Sequence, residues 1–280
     1  MILVTGATGN VGSQVVQQLL AQGRKVRVFT RDAAKISSLA AEVEVALGDM
    51  TQPDTFAAAA QGAEAIFLMN GALDGRAFRQ LLEVAKAGRN PRVVFLSTLF
   101  AAVPNLRIGQ LHKDKEDALR SSGLPYAIVR AGNFMTNSYQ WIGSIQAEGI
   151  VYNGIGEGQT AMIAPEDIAA VAVYALTAPQ LSETVFEVTG PGLETTAQRV
   201  RILSKYVGRE LRTVDISPEK AVEGLKANGV PPQVAEAVAE SLAAIRQGRE
   251  TKVTDTVQRV TGRAPRTWEQ WSKENAARFA

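Results

Sequence analysis

Gly6, Gly9 and Gly12 stand at G-x-x-G-x-x-G spacing, directly after a short apolar run and directly before a helix-like segment. Glycines so placed let a chain turn sharply from strand to helix and bring its backbone close to a pyrophosphate. They also let the helix lie near the sheet, where a side chain would intrude. Free N–H groups and the positive end of the helix dipole then face the phosphates. The chain has 24 glycines, so a triplet alone says little. Its place between a strand and a helix is what counts. Gly6, Ala7, Thr8, Gly9, Asn10, Val11 and Gly12 are therefore read as a dinucleotide-binding turn. The bland alternative is a tight βα turn without a ligand.

The second strand should set the kind of dinucleotide. An NAD site carries Asp or Glu near the end of that strand, about 20 residues past the glycines, to hold the ribose hydroxyls. Here the strand ends in Phe29-Thr30, and Arg31 follows. A neutral residue and then a guanidinium suit the 2′-phosphate of NADP(H), which Arg grips with a fork of donors. Lys35, one helical turn on, adds charge, while Asp32 reads as the N-cap of the next helix. The alternative for Arg31 is an ordinary solvated surface charge.

Several further elements are needed to position this turn. Apolar runs recur at Met1–Val4, Lys25–Thr30, Val43–Leu47, Ala65–Met69, Arg92–Leu96 and Tyr126–Val129. They are nearly continuous in apolarity, as strands covered on both faces should be. Between them, Val11, Val15, Val16, Leu19 and Leu20 make one helical stripe. Phe78, Leu81, Leu82 and Ala85 make another, behind Asp74 as an N-cap. This alternation predicts an α/β fold with a parallel sheet wound by right-handed crossovers. It weakens after residue 150: Val151–Glu157 and Thr184–Val188 read as strands, Pro165–Leu176 as a helix, and the chain from Leu193 as mainly helical. Thr267 to Gln270 reads as a capping box. The expected division is a dinucleotide-binding unit over residues 1–150, to whose sheet later segments contribute, and a smaller lobe over 151–280.

Composition narrows the function classes. There is no cysteine, which excludes disulfides, thiolate catalysis and zinc–thiolate sites and fits a cytoplasmic protein. The 30 basic and 28 acidic residues form no basic block, so neither nucleic acid nor membrane is expected as a partner. The uncharged start, Met1 to Gly23, lacks a positive leader and is interrupted at Thr5, so it predicts neither an export signal nor a membrane span. His112 is the single histidine, too few for a multi-histidine metal site, and no Gly-x-Ser-x-Gly elbow occurs.

Longer segments carry a family likeness. They are Ile2 to Gly12, Arg31 to Lys35, Gly48-Asp49-Met50, Leu111 to Glu116 with Ser122 to Tyr126, Arg130 to Asn137, and Gly262 to Thr267. Together they resemble the NmrA-like branch of the atypical short-chain dehydrogenase/reductases, which includes NADPH-dependent quinone and triphenylmethane-dye reductases. The resemblance implies a Rossmann-type doubly wound sheet with a smaller, mostly helical C-terminal lobe, and a small-molecule acceptor. It implies that Asp49 and Met50 line the adenine and that Met69, Asn70 and Gly71 lie along the nicotinamide ribose. Ala131, Gly132, Asn133 and Phe134 would close over the nicotinamide. Phe134, Met135, Tyr139 and Trp141 would then wall an aromatic substrate, or else simply pack the lobe. Either a monomer or a homodimer is compatible with the likeness.

The superfamily's proton-donating Tyr-x-x-x-Lys is absent. The residues four after the five tyrosines are Arg130, Gly143, Gly156, Ala178 and Glu210. The resemblance places His112 and Glu116 where Tyr and Lys would stand. Four apart, they share a helical face and could hydrogen-bond. The imidazole could then deliver a proton or hold a substrate oxygen, or the two could form a structural pair. Hydride transfer to a quinone tolerates a missing donor, because the delocalised anion takes its proton from water. The leading expectation is thus an NADPH-dependent reductase of quinone-like or other conjugated acceptors. A non-catalytic NADP(H)-sensing regulator and a nucleotide-sugar epimerase are the alternatives, the latter weakened by the missing Tyr-x-x-x-Lys.

Overall fold

The alternating apolar runs form parallel strands that lie between two layers of helices. A computed structural model describes residues 1–69, 74–227 and 229–280. The strands are β1 (Ile2–Thr5), β2 (Val26–Thr30), β3 (Glu44–Leu47), β4 (Ala65–Leu68), β5 (Arg92–Thr98), β6 (Tyr126–Ala131), β7 (Ile150–Asn153), β8 (Gln159–Thr160), β9 (Val185–Val188), β10 (Glu194–Thr195) and β11 (Arg212–Asp215). The α-helices are α1 (Asn10–Ala21), α2 (Pro53–Ala60), α3 (Gly75–Lys86), α4 (Arg107–Ser121), α5 (Ile142–Glu148), α6 (Pro165–Thr177), α7 (Thr196–Val207), α8 (Pro218–Ala227), α9 (Pro232–Arg246), α10 (Thr256–Thr261) and α11 (Trp268–Asn275).

The main sheet runs β3-β2-β1-β4-β5-β6-β9, and every pairing in it is parallel. Period-two alternation sends the two faces into separate cores. Ile2, Val4, Phe67, Val94 and Val129 pack with α1 and α6 on one side. Leu3, Ile66, Leu68, Phe95 and Ile128 pack with α2, α3 and α4 on the other. Strand order reverses between β1 and β4, and a doubly wound sheet opens its ligand crevice at such a point, beyond the strands' C-terminal ends. The Gly6–Gly12 turn follows β1, and Met69 follows β4. Thr5 ties the two strand ends, its Oγ1 donating to the Phe67 carbonyl (3.0 Å) and accepting from the Met69 N–H (2.9 Å).

Past residue 150, β9 completes this sheet and α6 lies against α1. The remaining segments build a lobe around Met135, Ile145, Val200, Leu203, Trp268, Trp271 and Phe279. Helices α7 to α11 make up most of the chain from Leu193, as expected, and two small two-stranded pieces, β7 with β11 and β8 with β10, accompany them. These strands are short, and β11 (Arg-Thr-Val-Asp) is largely exposed, so no apolar run announces it. The strand expected over Val151–Glu157 stops at Asn153. There the Asn153 amide donates to the Gly156 carbonyl (3.0 Å) and its oxygen accepts from the Ile155 N–H, turning the chain. At the other margin β3 is an edge strand, half-covered rather than buried on both faces. Asp32, Asp74 and Thr267 cap their helices as their sequence positions suggest, Thr267 in a full capping box with Gln270. Among the described residues no helix is long and apolar enough to cross a membrane.

Candidate functional site

The three glycines of the turn are packed to different degrees, Gly6 against Met69, and Gly9 and Gly12 against the turn's own backbone. Gly6 has φ of 65°, a left-handed conformation that favours glycine, and a Cβ there would lie 2.5 Å from the Met69 sulfur. A Cβ on Gly12 would lie 2.2 Å from the Gly6 carbonyl oxygen. Gly9 differs: its φ is −95°, and a Cβ would meet only the Gly6 oxygen at 3.3 Å. The fold therefore demands glycine at 6 and 12, whereas a side chain at position 9 would require the Gly6 carbonyl to give by only a few tenths of an ångström. Gly9 is the N-cap of α1, with no side-chain cap and no acidic residue in the first turn. That helix end keeps its positive potential for an outside anion. Ala7 and Val11 are buried in the core beneath, and Thr8 is exposed on the rim. Asn10 reaches across, its amide donating to Thr136 Oγ1 at 3.2 Å, and so links the turn to the segment after β6.

Beside the turn, at the end of β2, lies a cationic edge. Arg31 and Lys35 are exposed and make no hydrogen bond or ion pair among the described residues. Thr30 and Asp32 are occupied locally: Thr30 Oγ1 bonds Asp32, and the Asp32 carboxylate accepts the Ala34 N–H at 2.9 Å. The residue at the strand end itself is the neutral Thr30, and Asp32 beyond it serves as the cap of the next turn. Asp49 sits opposite, after β3. Its carboxyl is held below the usual range by the Thr51 N–H, then by the Thr51 hydroxyl, with a smaller contribution from the Arg31 charge. Gly48 packs tightly under Phe29, and Met50 lies half-buried against the α2–α3 core.

On the far side, the segment after β6 is pinned at several points. Gly132 N–H donates to the Val188 carbonyl (2.9 Å), Ile163 N–H to the Asn133 carbonyl (2.8 Å), and Met135 N–H to the Ile163 carbonyl (2.9 Å). Ala131 and Gly132 are buried, while Asn133 and Phe134 are half-buried at the rim. Met69 flanks Gly6, but Asn70 and Gly71 lie outside the described residues. Of the aromatic wall, only Phe134 stays near the crevice. Met135, Tyr139 and Trp141 pack in the lobe core, where Tyr139 stacks near Trp271 (5.5 Å between centroids) and bonds Asn275.

His112 lies on α4, buried against Phe95 at 6.1 Å between ring centroids. Burial first, and the Lys115 charge second, push its pKa down to about 4, so the ring is neutral at pH 7. It can donate or accept a hydrogen bond there, but it holds no spare proton. The expected pairing with Glu116 does not form. Glu116 is fully buried and accepts from Ser97 (2.7 Å), from Arg130 through both oxygens (2.8 and 2.6 Å), and from Arg120 (3.1 Å). Burial works to raise its pKa, yet Arg130, Ser97 and Arg120 together hold it below the ordinary value. Sharing a helical face was not enough, because β5 and β6 supply stronger partners than the neutral imidazole.

The profile of a family described as NAD(P)H-binding matches residues 6–179. This chain belongs to that family. Over its whole length (100% of this chain, 99% of the relative) it is 35% identical to an NAD(P)H azoreductase of Xenophilus azovorans. It is 34% identical, over 100% of this chain and 99% of the relative, to a (4-alkanoyl-5-oxo-2,5-dihydrofuran-3-yl)methyl phosphate reductase of Streptomyces griseus. Among solved structures, an NADPH-dependent quinone oxidoreductase of Escherichia coli complexed with NADPH superposes with a TM-score of 0.87 at 25% identity, covering 98% of this chain and 99% of the other.

Two buried ionisable side chains were not singled out from the sequence. Lys115, one turn from His112, is buried; burial lowers its pKa while nearby Asp74 works to raise it. Glu250, between α9 and α10, is buried and accepts from the Asn133 amide at 2.8 Å. Lys115 lies inside the Leu111–Glu116 segment but was not distinguished there from its neighbours, and Glu250 belongs to none of the family-like segments. A depression of about 920 Å³ between α7 and β11 includes none of the candidate residues.

Proposed function

We propose that this protein is an NADPH-dependent reductase that passes hydride to a conjugated small-molecule acceptor such as a quinone or an azo compound. The observation that carries the reading is the crevice between β1 and β4: an uncapped helix start over Gly9, with a cationic edge and no free acid at the end of β2. Family membership and the full-length likeness to an NAD(P)H azoreductase support it. When bound, the cofactor supplies the hydride. The turn from Gly6 to Gly12 takes the pyrophosphate on its backbone N–H groups, and Gly9 leaves the room for that approach. Arg31 and Lys35 take the 2′-phosphate, while Asp49 and Met50 border the adenine. Met69 and the loop Ala131–Phe134 hold the nicotinamide half. In this division of labour, residues 1–150 with β9 and α6 carry the cofactor, and the later lobe covers the acceptor.

His112 acts as a neutral imidazole that hydrogen-bonds the acceptor rather than as an imidazolium acid. The proton that completes reduction of a quinone comes from water, so rate depends chiefly on placement. The deciding experiment mixes the protein with NADPH and a panel of quinones and azo dyes and follows the absorbance of the reduced nicotinamide. Firm NADPH binding with no oxidation by any acceptor would replace the reductase with a regulator that senses the cofactor.

A further inference from the structure

Glu250 is the point where the distal chain grips the loop after β6. Its Oε2 accepts the Asn133 side-chain amide at 2.8 Å. Asn133 is itself fixed on its other side, its carbonyl accepting the Ile163 N–H at 2.8 Å. One buried carboxyl thus holds the side chain of a residue in the middle of the Ala131–Phe134 loop. The charged group that faces it from α7 is Arg199, also buried, which pairs with Glu194 at 3.5 Å and donates to the Thr160 carbonyl. The charged neighbours along the chain turn elsewhere: Arg249 donates to the Pro104 carbonyl and Lys252 pairs with Glu187.

We propose that Glu250 is a positioning residue whose charge sets how firmly the Ala131–Phe134 loop holds the nicotinamide half of the cofactor. The inference rests on the reading above that this loop faces the nicotinamide. As a carboxylate, Glu250 accepts a charge-assisted hydrogen bond from the Asn133 amide and fixes that residue. As a neutral acid it is a weaker acceptor, and its own O–H competes for partners. Burial pushes the pKa of Glu250 up to about 7, against the opposing pull of the Asn133 donors and the Arg199 charge. The group is therefore mainly neutral at pH 6 and mainly ionised at pH 8, and the loop should tighten as pH rises. By linkage, a bound nicotinamide should favour the ionised form.

The test compares the binding of NADPH with that of 2′-phospho-ADP-ribose, by calorimetry, at about pH 6 and about pH 8. Both ligands carry the same 2′-phosphate, which titrates near pH 6 by analogy with other phosphomonoesters, so its contribution cancels in the ratio of the two affinities. In the wild type the preference for NADPH over the fragment should grow by about three- to tenfold across this range. In Glu250→Gln it should stay flat at the low-pH value. Asn133→Ala removes the side-chain donor, keeps the carboxyl, and should leave less than half of the rise. It also carries the test if Glu250→Gln fails to fold. A wild-type ratio that does not move with pH overturns the proposal, as does a rise that persists unchanged in Glu250→Gln. Absence of NADPH oxidation with every acceptor would overturn the reductase reading and leave this ratio intact, so the two failures are separable.

Discussion

Gly9 and its two neighbours in the triplet look alike in sequence and do different things. Gly6 and Gly12 answer to the fold, through a positive φ and through a Cβ that would lie 2.2 Å from the Gly6 oxygen, whereas a Cβ on Gly9 would meet that oxygen at 3.3 Å, a contact that a small shift relieves. Gly9→Val should therefore fold, because its extended backbone suits a β-branched residue, and should lose NADPH binding by calorimetry; normal binding would remove Gly9 from the cradle. At the other end of the cofactor, Arg31→Ala should cost about 1.5–3 kcal/mol for NADPH and little for NADH, roughly tenfold or more in preference. An unchanged preference in parallel titrations would take Arg31 out of the site. His112→Ala should lower turnover about tenfold to a hundredfold with NADPH affinity nearly unchanged. The wild-type rate should show no ionisation from His112 near pH 6.5, since its pKa lies at about 4. Local chemistry was legible where a short stretch of chain decides it: the turn, the Asp32 cap and the cationic Arg31 all are. Glu250 was not, because its burial is made by Asn133 and Arg199, far away in sequence.

Helix α4 is held on the sheet by one buried carboxylate. Glu116 joins α4 to β5 through Ser97 and to β6 through Arg130, and this three-way tie replaces the His–Glu pair that helical spacing suggested. Helical periodicity names the face a residue shares; only the packed strands decide which group on that face it meets. The two halves of the ion pair are not equivalent. Glu116 is fully buried, whereas Arg130 is slightly exposed and has Glu187 at 3.6 Å as a second partner. Arg130→Met, which strands the buried carboxylate with only Ser97 and the more exposed Arg120, should destabilise by about 3–5 kcal/mol. Glu116→Gln should cost less, and denaturant melts of the two variants would show whether that order holds. The pH dependence follows from the lowered pKa of Glu116. The carboxylate's contribution is complete above its unfolded value of 4.5 and disappears as pH falls through the lower folded value, so Glu116→Gln should flatten the acid limb of stability. The lobe's small strands were the elements least visible in the sequence. β8 and β10 have two residues each, and β11 is polar and exposed, so neither length nor alternation marks them.

The whole molecule tests whether sheet and lobe behave as one unit. All three tryptophans, Trp141, Trp268 and Trp271, belong to the lobe's core, so intrinsic fluorescence reports the lobe alone. Helix and strand signals in circular dichroism come from the entire chain. The ties between the two parts are distributed: the Asn10–Thr136 bond, the Glu250–Asn133 clamp and the Arg263–Asp167 ion pair at 2.5 Å. Two of these touch the proposed cofactor site directly. Thermal melts followed by fluorescence and by circular dichroism should therefore coincide, as two-state unfolding requires. NADPH at about one hundred times its dissociation constant adds roughly 2.7 kcal/mol of stability. For a chain of this size that is a shift of about 5 °C, and it should appear equally in both signals. A fluorescence transition that precedes the other, and that NADPH leaves in place, would mean that the lobe unfolds by itself and that the Asn10 and Asn133 ties carry no cooperativity across the crevice.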